Sequence, residues 1–164
     1  MSFQKAHNIS NELGEVLVTT PPIVLTARQT HWALAVGTYP GSAAIAGRSY
    51  RVLEVGCTIQ TAGTAVHANQ MTVGILSDLD AFVQLNNANL PAATVAGETY
   101  STGSGGASTW TFRAAGTGNV DSDGNPFLNP GQQLVFRSAA NVGNTPTVIF
   151  FARLAPVASR DVFA

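Results

Sequence analysis

Along most of the chain apolar and polar residues alternate with a period of two, the spacing that sends successive side chains to opposite faces of a strand. In residues 51–60, Leu53, Val55, Cys57 and Ile59 share one face while Glu54, Thr58 and Gln60 share the other, which predicts a half-buried strand with those four apolar residues inward. The same alternation sets Trp32, Leu34 and Val36 against His31, Ala33 and Ala35, and Met71, Val73 and Ile75 against Gln70 and Thr72. It recurs at Trp110 and Phe112 against Thr109, Thr111 and Arg113. Residues 146–154 are apolar on both faces, with Val148, Phe150, Ala152 and Leu154 on one side and Ile149 and Phe151 on the other. That pattern predicts a central strand, or one whose outer face meets another subunit. Residues 78–85 fit two periods: Leu79, Phe82 and Val83 gather on one side of a helical turn, whereas Ala81, Val83 and Leu85 alternate with Phe82 and Gln84 as a strand. The reading taken is a short helix or irregular crossover.

Turn-forming clusters separate these runs at 37–41, 61–64, 102–106, 116–131 and 141–146. Their spacing gives about eight short strands. Without alternating amphipathic helices, the expected fold is all-β, a single-domain antiparallel β-sandwich of jelly-roll type. Residues 1–14 carry no strand alternation and end at Gly14. They are read as an N-terminal arm, either a frayed terminus or an ordered segment crossing onto a neighbouring subunit, ahead of a domain over 15–164.

Composition narrows the classes of role. Charged residues are 10% of the 164, against roughly a quarter in ordinary domains, while the apolar share is a normal 45%. Disorder is thereby excluded. Eight basic and nine acidic residues leave a net charge of −1, and Lys5 is the one lysine, so nothing forms a basic stripe for a phosphate backbone and no nucleic acid is expected. Ala, Gly, Ser, Thr and Asn supply 79 of the 164 residues, the composition of turns and weakly polar β surfaces. No stretch approaches about 18 uninterrupted apolar residues and the first ten residues lack a signal-type apolar core, so no membrane is expected and synthesis is expected in the cytoplasm.

Little in the sequence satisfies the requirements of a reactive centre. Cys57 falls in an inward row, where apolar walls disfavour a thiolate, and reads as a packing cysteine. Ser2 and Lys5 match Ser-x-x-Lys without the partner motifs that would give the match meaning. His7, His31 and His67 are 24 and 36 residues apart and share no ligand-type spacing. Asp121-Ser122-Asp123-Gly124-Asn125 offers oxygen ligands suited to Ca²⁺, yet Pro126 and Phe127 follow where a calcium-binding loop would run on to a glutamate, and Asp, Asn and Gly also make ordinary turns. The glycine-rich residues 102–106 lead into residues that read as a strand rather than a helix, so they form a hairpin connection and not a phosphate cradle. Asp78 and Asp80 are close in sequence, but two positions on one segment do not make two groups flanking a scissile bond. No catalytic, cofactor-binding or metal-binding residue is assigned, and no cofactor is expected.

The closing segments Asn129-Pro130-Gly131-Gln132-Gln133-Leu134-Val135-Phe136-Arg137 and Gly143-Asn144-Thr145-Pro146-Thr147-Val148-Ile149-Phe150-Phe151 resemble the last hairpin of small structural proteins of tailed bacteriophages. Residues 50–78, with Ala62-Gly63-Thr64 in the turn, are similar in style. The resemblance implies a virion component without catalytic residues: a capsid decoration or cement protein, a head fibre, or a tail-fibre or baseplate domain. It implies a homo-oligomer, a trimer, whose partner is the major capsid protein of a phage shell. A different class is a receptor- or carbohydrate-binding sandwich, for which Trp32, Trp110, Tyr39, Tyr50 and Tyr100 are the aromatic supply. Both tryptophans read as core residues, which leaves Tyr39 and Tyr100, near loops, as the stacking candidates. An enzyme is the least supported class.

Overall fold

The computed structural model describes residues 15–25, 32–35, 49–63, 69–84, 88–91, 93–103, 110–113, 126–138 and 146–156. Among them lie eleven strand segments: β1 (Val16–Thr19), β2 (Ile23–Val24), β3 (Trp32–Ala35), β4 (Tyr50–Thr61), β5 (Asn69–Ile75), β6 (Asp78–Val83), β7 (Asn89–Leu90), β8 (Thr99–Ser101), β9 (Phe127–Leu128), β10 (Gln133–Ser138) and β11 (Thr147–Pro156). There is no helix among the described residues. The segments form two antiparallel sheets. One runs β1-β11-β4-β8, with β2 also on β11 and β9 also on β4; the other runs β3-β10-β5-β6, with β7 also on β5.

The sheets face each other across a core drawn from both. Val148, Phe150, Ala152 and Leu154 of β11 and Val55, Cys57 and Ile59 of β4 are buried together with Met71, Val73 and Ile75 of β5 and Leu134 and Phe136 of β10. The rings of Phe136 and Phe150, one from each sheet, stack with centroids 4.6 Å apart and planes inclined by 23°. This is a β-sandwich-like arrangement. β11 is a central strand, paired with β1 and β2 on one side and along its length with β4 on the other. That position pairs the backbone groups of β11 on both edges, while its inward row, Val148, Phe150, Ala152 and Leu154, packs into the core.

On the edge, Pro21 and Pro22 divide β1 from β2. Thr20 keeps the ladder intact before the break: its N–H donates to the Phe150 carbonyl at 2.9 Å and its Oγ1 accepts the Phe150 N–H at 3.0 Å. Beyond the prolines the Leu25 N–H donates to the Pro146 carbonyl at 2.9 Å. Proline donates no hydrogen bond and is tolerated at an edge. The Pro130-Gly131 turn before β10 is a type II turn in character, with Gly131 at φ 78° and the Gln132 N–H donating to the Asn129 carbonyl at 3.1 Å.

Three local expectations are corrected. Leu53 does not join the inward row of β4 and is only half-buried. The register with β11 shifts there, Glu54 pairing with Arg153 and Val52 with Leu154, so Leu53 is the extra residue of a bulge and the inward row becomes Val52, Val55, Cys57 and Ile59. Residues 78–83 are strand β6 rather than a helix or crossover. A two-residue turn at Leu76 and Ser77 returns the chain onto β5, where ladder pairing satisfies backbone groups that a helix would have left bare on the β5 edge. Trp110 and Phe112 keep their predicted direction toward the core but lie in no ladder. The Trp110 N–H bonds the Ser101 carbonyl at 2.9 Å and its indole bonds the Asn89 carbonyl at 3.3 Å, holding the segment by single contacts. The expected arm over residues 1–14 and the strand face of Trp32, Leu34 and Val36 lie outside what is described of side chains or chain.

Candidate functional site

The outward row of the first sheet is the larger candidate surface. Ile149, Phe151 and Arg153 of β11 alternate with its core residues, and Leu17 of β1 pairs with Arg153 while Thr19 pairs with Phe151. Ile149 and Phe151 are half-buried and Leu17 is 63% exposed, with Val16 and Val24 also exposed on the same edge. Phe151 is in register with Gly56 of β4, and its ring lies over that glycine: a Cβ built on Gly56 would meet the Phe151 Cζ at 2.9 Å and the Tyr100 carbonyl oxygen at 2.5 Å. A side chain on β4 at this point would lift the aromatic ring off the sheet. Glycine therefore lets an apolar residue lie flat on an outer face.

The charged groups on that face pair with one another, one guanidinium between two carboxylates. The Arg153 Nη1 donates to Glu54 Oε2 at 3.0 Å and its Nε donates to Glu15 Oε2 at 2.9 Å. Glu15 and then Glu54 hold the guanidinium more firmly protonated than usual. The Ser101 hydroxyl donates to Glu54 Oε1 at 2.5 Å and accepts from the Gly103 N–H at 3.2 Å. Glu54 is thus ion-paired to Arg153 and hydrogen-bonded to Ser101. The pair serves to fix β4, β8 and β11 relative to one another.

The second sheet carries a different surface. Asp78 and Asp80 are brought together on β6, and Arg113 Nη1 stands 3.4 Å from Asp80 Oδ1. Burial, followed by the hydrogen bond with Asp78, raises the Asp80 carboxyl above its ordinary 3.8, against the opposing pull of Arg113. A cavity of about 560 Å³ opens between β5, β6 and β10, lined by Thr72, Ser77, Asp78, Asp80 and Arg137 together with two leucines. The sequence sets Asp78 and Asp80 on one segment, but Thr72 and Arg137 reach the same space from two other strands.

The other candidates fall as follows. Cys57 is fully buried, and burial pushes its thiol far up, which fits a packing role. Tyr100 is corrected: in register with Cys57 it points inward, is 3% exposed, and donates its hydroxyl to Glu98 Oε2 at 2.5 Å, so no ring face is left for a sugar. Tyr50 and Trp110 are buried as well. Thr102 and Gly103 form the turn after β8, the Thr102 N–H bonding the Val55 carbonyl at 3.0 Å. Ser2, Lys5, His7, His31, Tyr39, His67, Asp121 and Asp123 lie outside the described residues. Among the described residues no three His, Cys, Asp or Glu side chains gather as a metal site, and no helix is long and apolar enough to cross a membrane. No protein-family model, curated protein or solved structure matches the chain.

Proposed function

We propose that the protein is a non-enzymatic structural component of a virion. Within that class, we infer a decoration or cement protein that binds the outside of a phage capsid as a homotrimer and stabilises the shell. The observation that carries the reading is the outward row of Leu17, Ile149 and Phe151 beside a charge-neutralised Arg153, an apolar strip of the kind found at the centre of subunit contacts. The segments that resemble phage structural proteins include β10 and β11, the strands that supply the middle of each sheet.

The finer fold belongs to the same proposal. Counting β1 with β2, β6 with β7 and β8 with β9 as pieces of shared edges leaves eight strands. In that count the first pairs with the eighth, the second with the seventh, the third with the sixth and the fourth with the fifth. Those pairings are what a long ribbon wound into two sheets would make, the jelly roll.

Light scattering tests the assembly: the expected mass is three times the 17.0 kDa of the chain. A monomer at micromolar concentration removes the trimer. Leu17→Asp, placed on an exposed edge, is expected to dissociate the oligomer while leaving the circular dichroism spectrum unchanged. Co-sedimentation with capsids tests the cement role, and a protein that stays in the supernatant sinks it.

A further inference from the structure

The cavity on the second sheet has features that subunit contact does not require. Thr72 lies on the outward row of β5, opposite Arg137 of β10, yet it is only 3% exposed and its Oγ1 has no hydrogen-bond partner among the described residues. A buried hydroxyl in that state is costly unless something outside the chain satisfies it. The wall beside it is built by an irregularity. Val73 pairs with Val83 but Ile75 pairs with Asp78, so β6 carries extra residues opposite Gly74. A Cβ on Gly74 would meet the Asp78 carbonyl oxygen, the Leu79 carbonyl carbon at 2.7 Å and the Ala81 nitrogen at 2.8 Å. The missing side chain lets β6 arch across the outer face and hold Asp78 and Asp80 at the rim.

The chemistry of the lining selects among ligands. Two acids, Asp78 and Asp80, are matched by two bases, Arg113 on Asp80 and Arg137 across the cavity, so neither a cation nor an anion gains from the local field. Carboxylates accept hydrogen bonds, the Arg137 guanidinium donates them, and the Thr72 and Ser77 hydroxyls do both. Leu76, 58% exposed, and Leu79 add an apolar side. The volume lies within the roughly 300–1,000 Å³ of ligand clefts. A ring that carries vicinal hydroxyls on its rim and C–H groups on its face presents the matching set. We propose that this cavity binds a neutral saccharide, with Asp78 and Asp80 accepting from its hydroxyls, and Arg137 and Thr72 completing the contacts.

The site is independent of capsid attachment, and its test uses the free protein. A neutral-glycan array picks the sugar, which is then titrated into ¹⁵N-labelled protein. The expected result is saturable movement of the Thr72, Gly74, Ser77, Asp80 and Arg137 amides. Thr72→Val keeps the side-chain shape and removes the orphaned hydroxyl. It is expected to keep or raise the melting temperature while weakening sugar binding by about tenfold, the loss of one hydrogen bond to a neutral group. Asp80→Asn is expected to weaken it as well. An array without signal, saturation that Thr72→Val leaves unchanged, or amides that move with CaCl₂ and not with sugar would each overturn the proposal.

Discussion

Gly56 and Gly74 are positions where one added carbon has no room. At Gly56 the obstruction includes the Tyr100 backbone oxygen, and at Gly74 it is the backbone of residues 78–81, so the neighbours cannot yield by turning a side chain. Gly56→Ala is expected to cost about 1–3 kcal/mol, the usual penalty of overpacking, read as a lower urea midpoint at unchanged slope. Asp80 makes a second test. Its carboxyl is raised in the folded protein, chiefly by burial and then by Asp78, so the unfolded chain gives up that proton first as pH rises. Its stability contribution is therefore present below about pH 3.8 and is lost as pH climbs through the raised value. Thermal melts should show wild type losing stability relative to Asp80→Asn across that window. A constant difference would show that the carboxyl is not perturbed.

Among the elements, the segmented edge of β1 and β2 controls what the first sheet can do next. A continuous, flat, apolar edge is a template for another chain, and Val16, Leu17 and Val24 give this one the apolar character. Pro21 and Pro22 interrupt it. Replacing both with threonine restores two backbone donors and is expected to produce species larger than the native oligomer, growing with concentration in light scattering. An unchanged mass distribution would mean that the prolines do not protect the edge. The bulge at Leu53 acts on the opposite flank of β11: it turns Val52 and Val55 to the same face although they are three apart, which keeps both in the core.

For the molecule as a whole, the scarcity of charge sets how it would hold to a shell. With a net charge of −1 and Arg153 already paired to Glu15 and Glu54, the proposed attachment rests on apolar burial rather than on ion pairs. Salt screens charges on the surface and leaves apolar contact intact, so co-sedimentation with capsids is expected to change less than about twofold between roughly 0.15 M and 1 M NaCl. Release at high salt would assign the attachment to charge instead.

Alternation alone is enough to read the strand class, the inward rows of β5 and β11, and the burial of Cys57 and Trp110, because a period of two has one meaning when one face must be buried; that β11 is central comes from its pairing with β1, β2 and β4. Periodicity has no means of announcing a bulge, so it sets Leu53 on the wrong face. Nor did it decide residues 78–83, whose apolar positions fit a helical turn as well as a strand until the free edge of β5 supplied hydrogen-bond partners. Tyr100 looked like a loop aromatic until register with Cys57 turned it inward. The cavity was the least legible feature. Asp78 and Asp80 are a close pair along the chain, but Thr72 and Arg137 stand far from them in sequence, and only the pairing of β5 with both β6 and β10 places a hydroxyl without a partner among the described residues, two acids and a guanidinium around one space. Local pattern dictates which face a residue shows; long-range pairing dictates which faces meet.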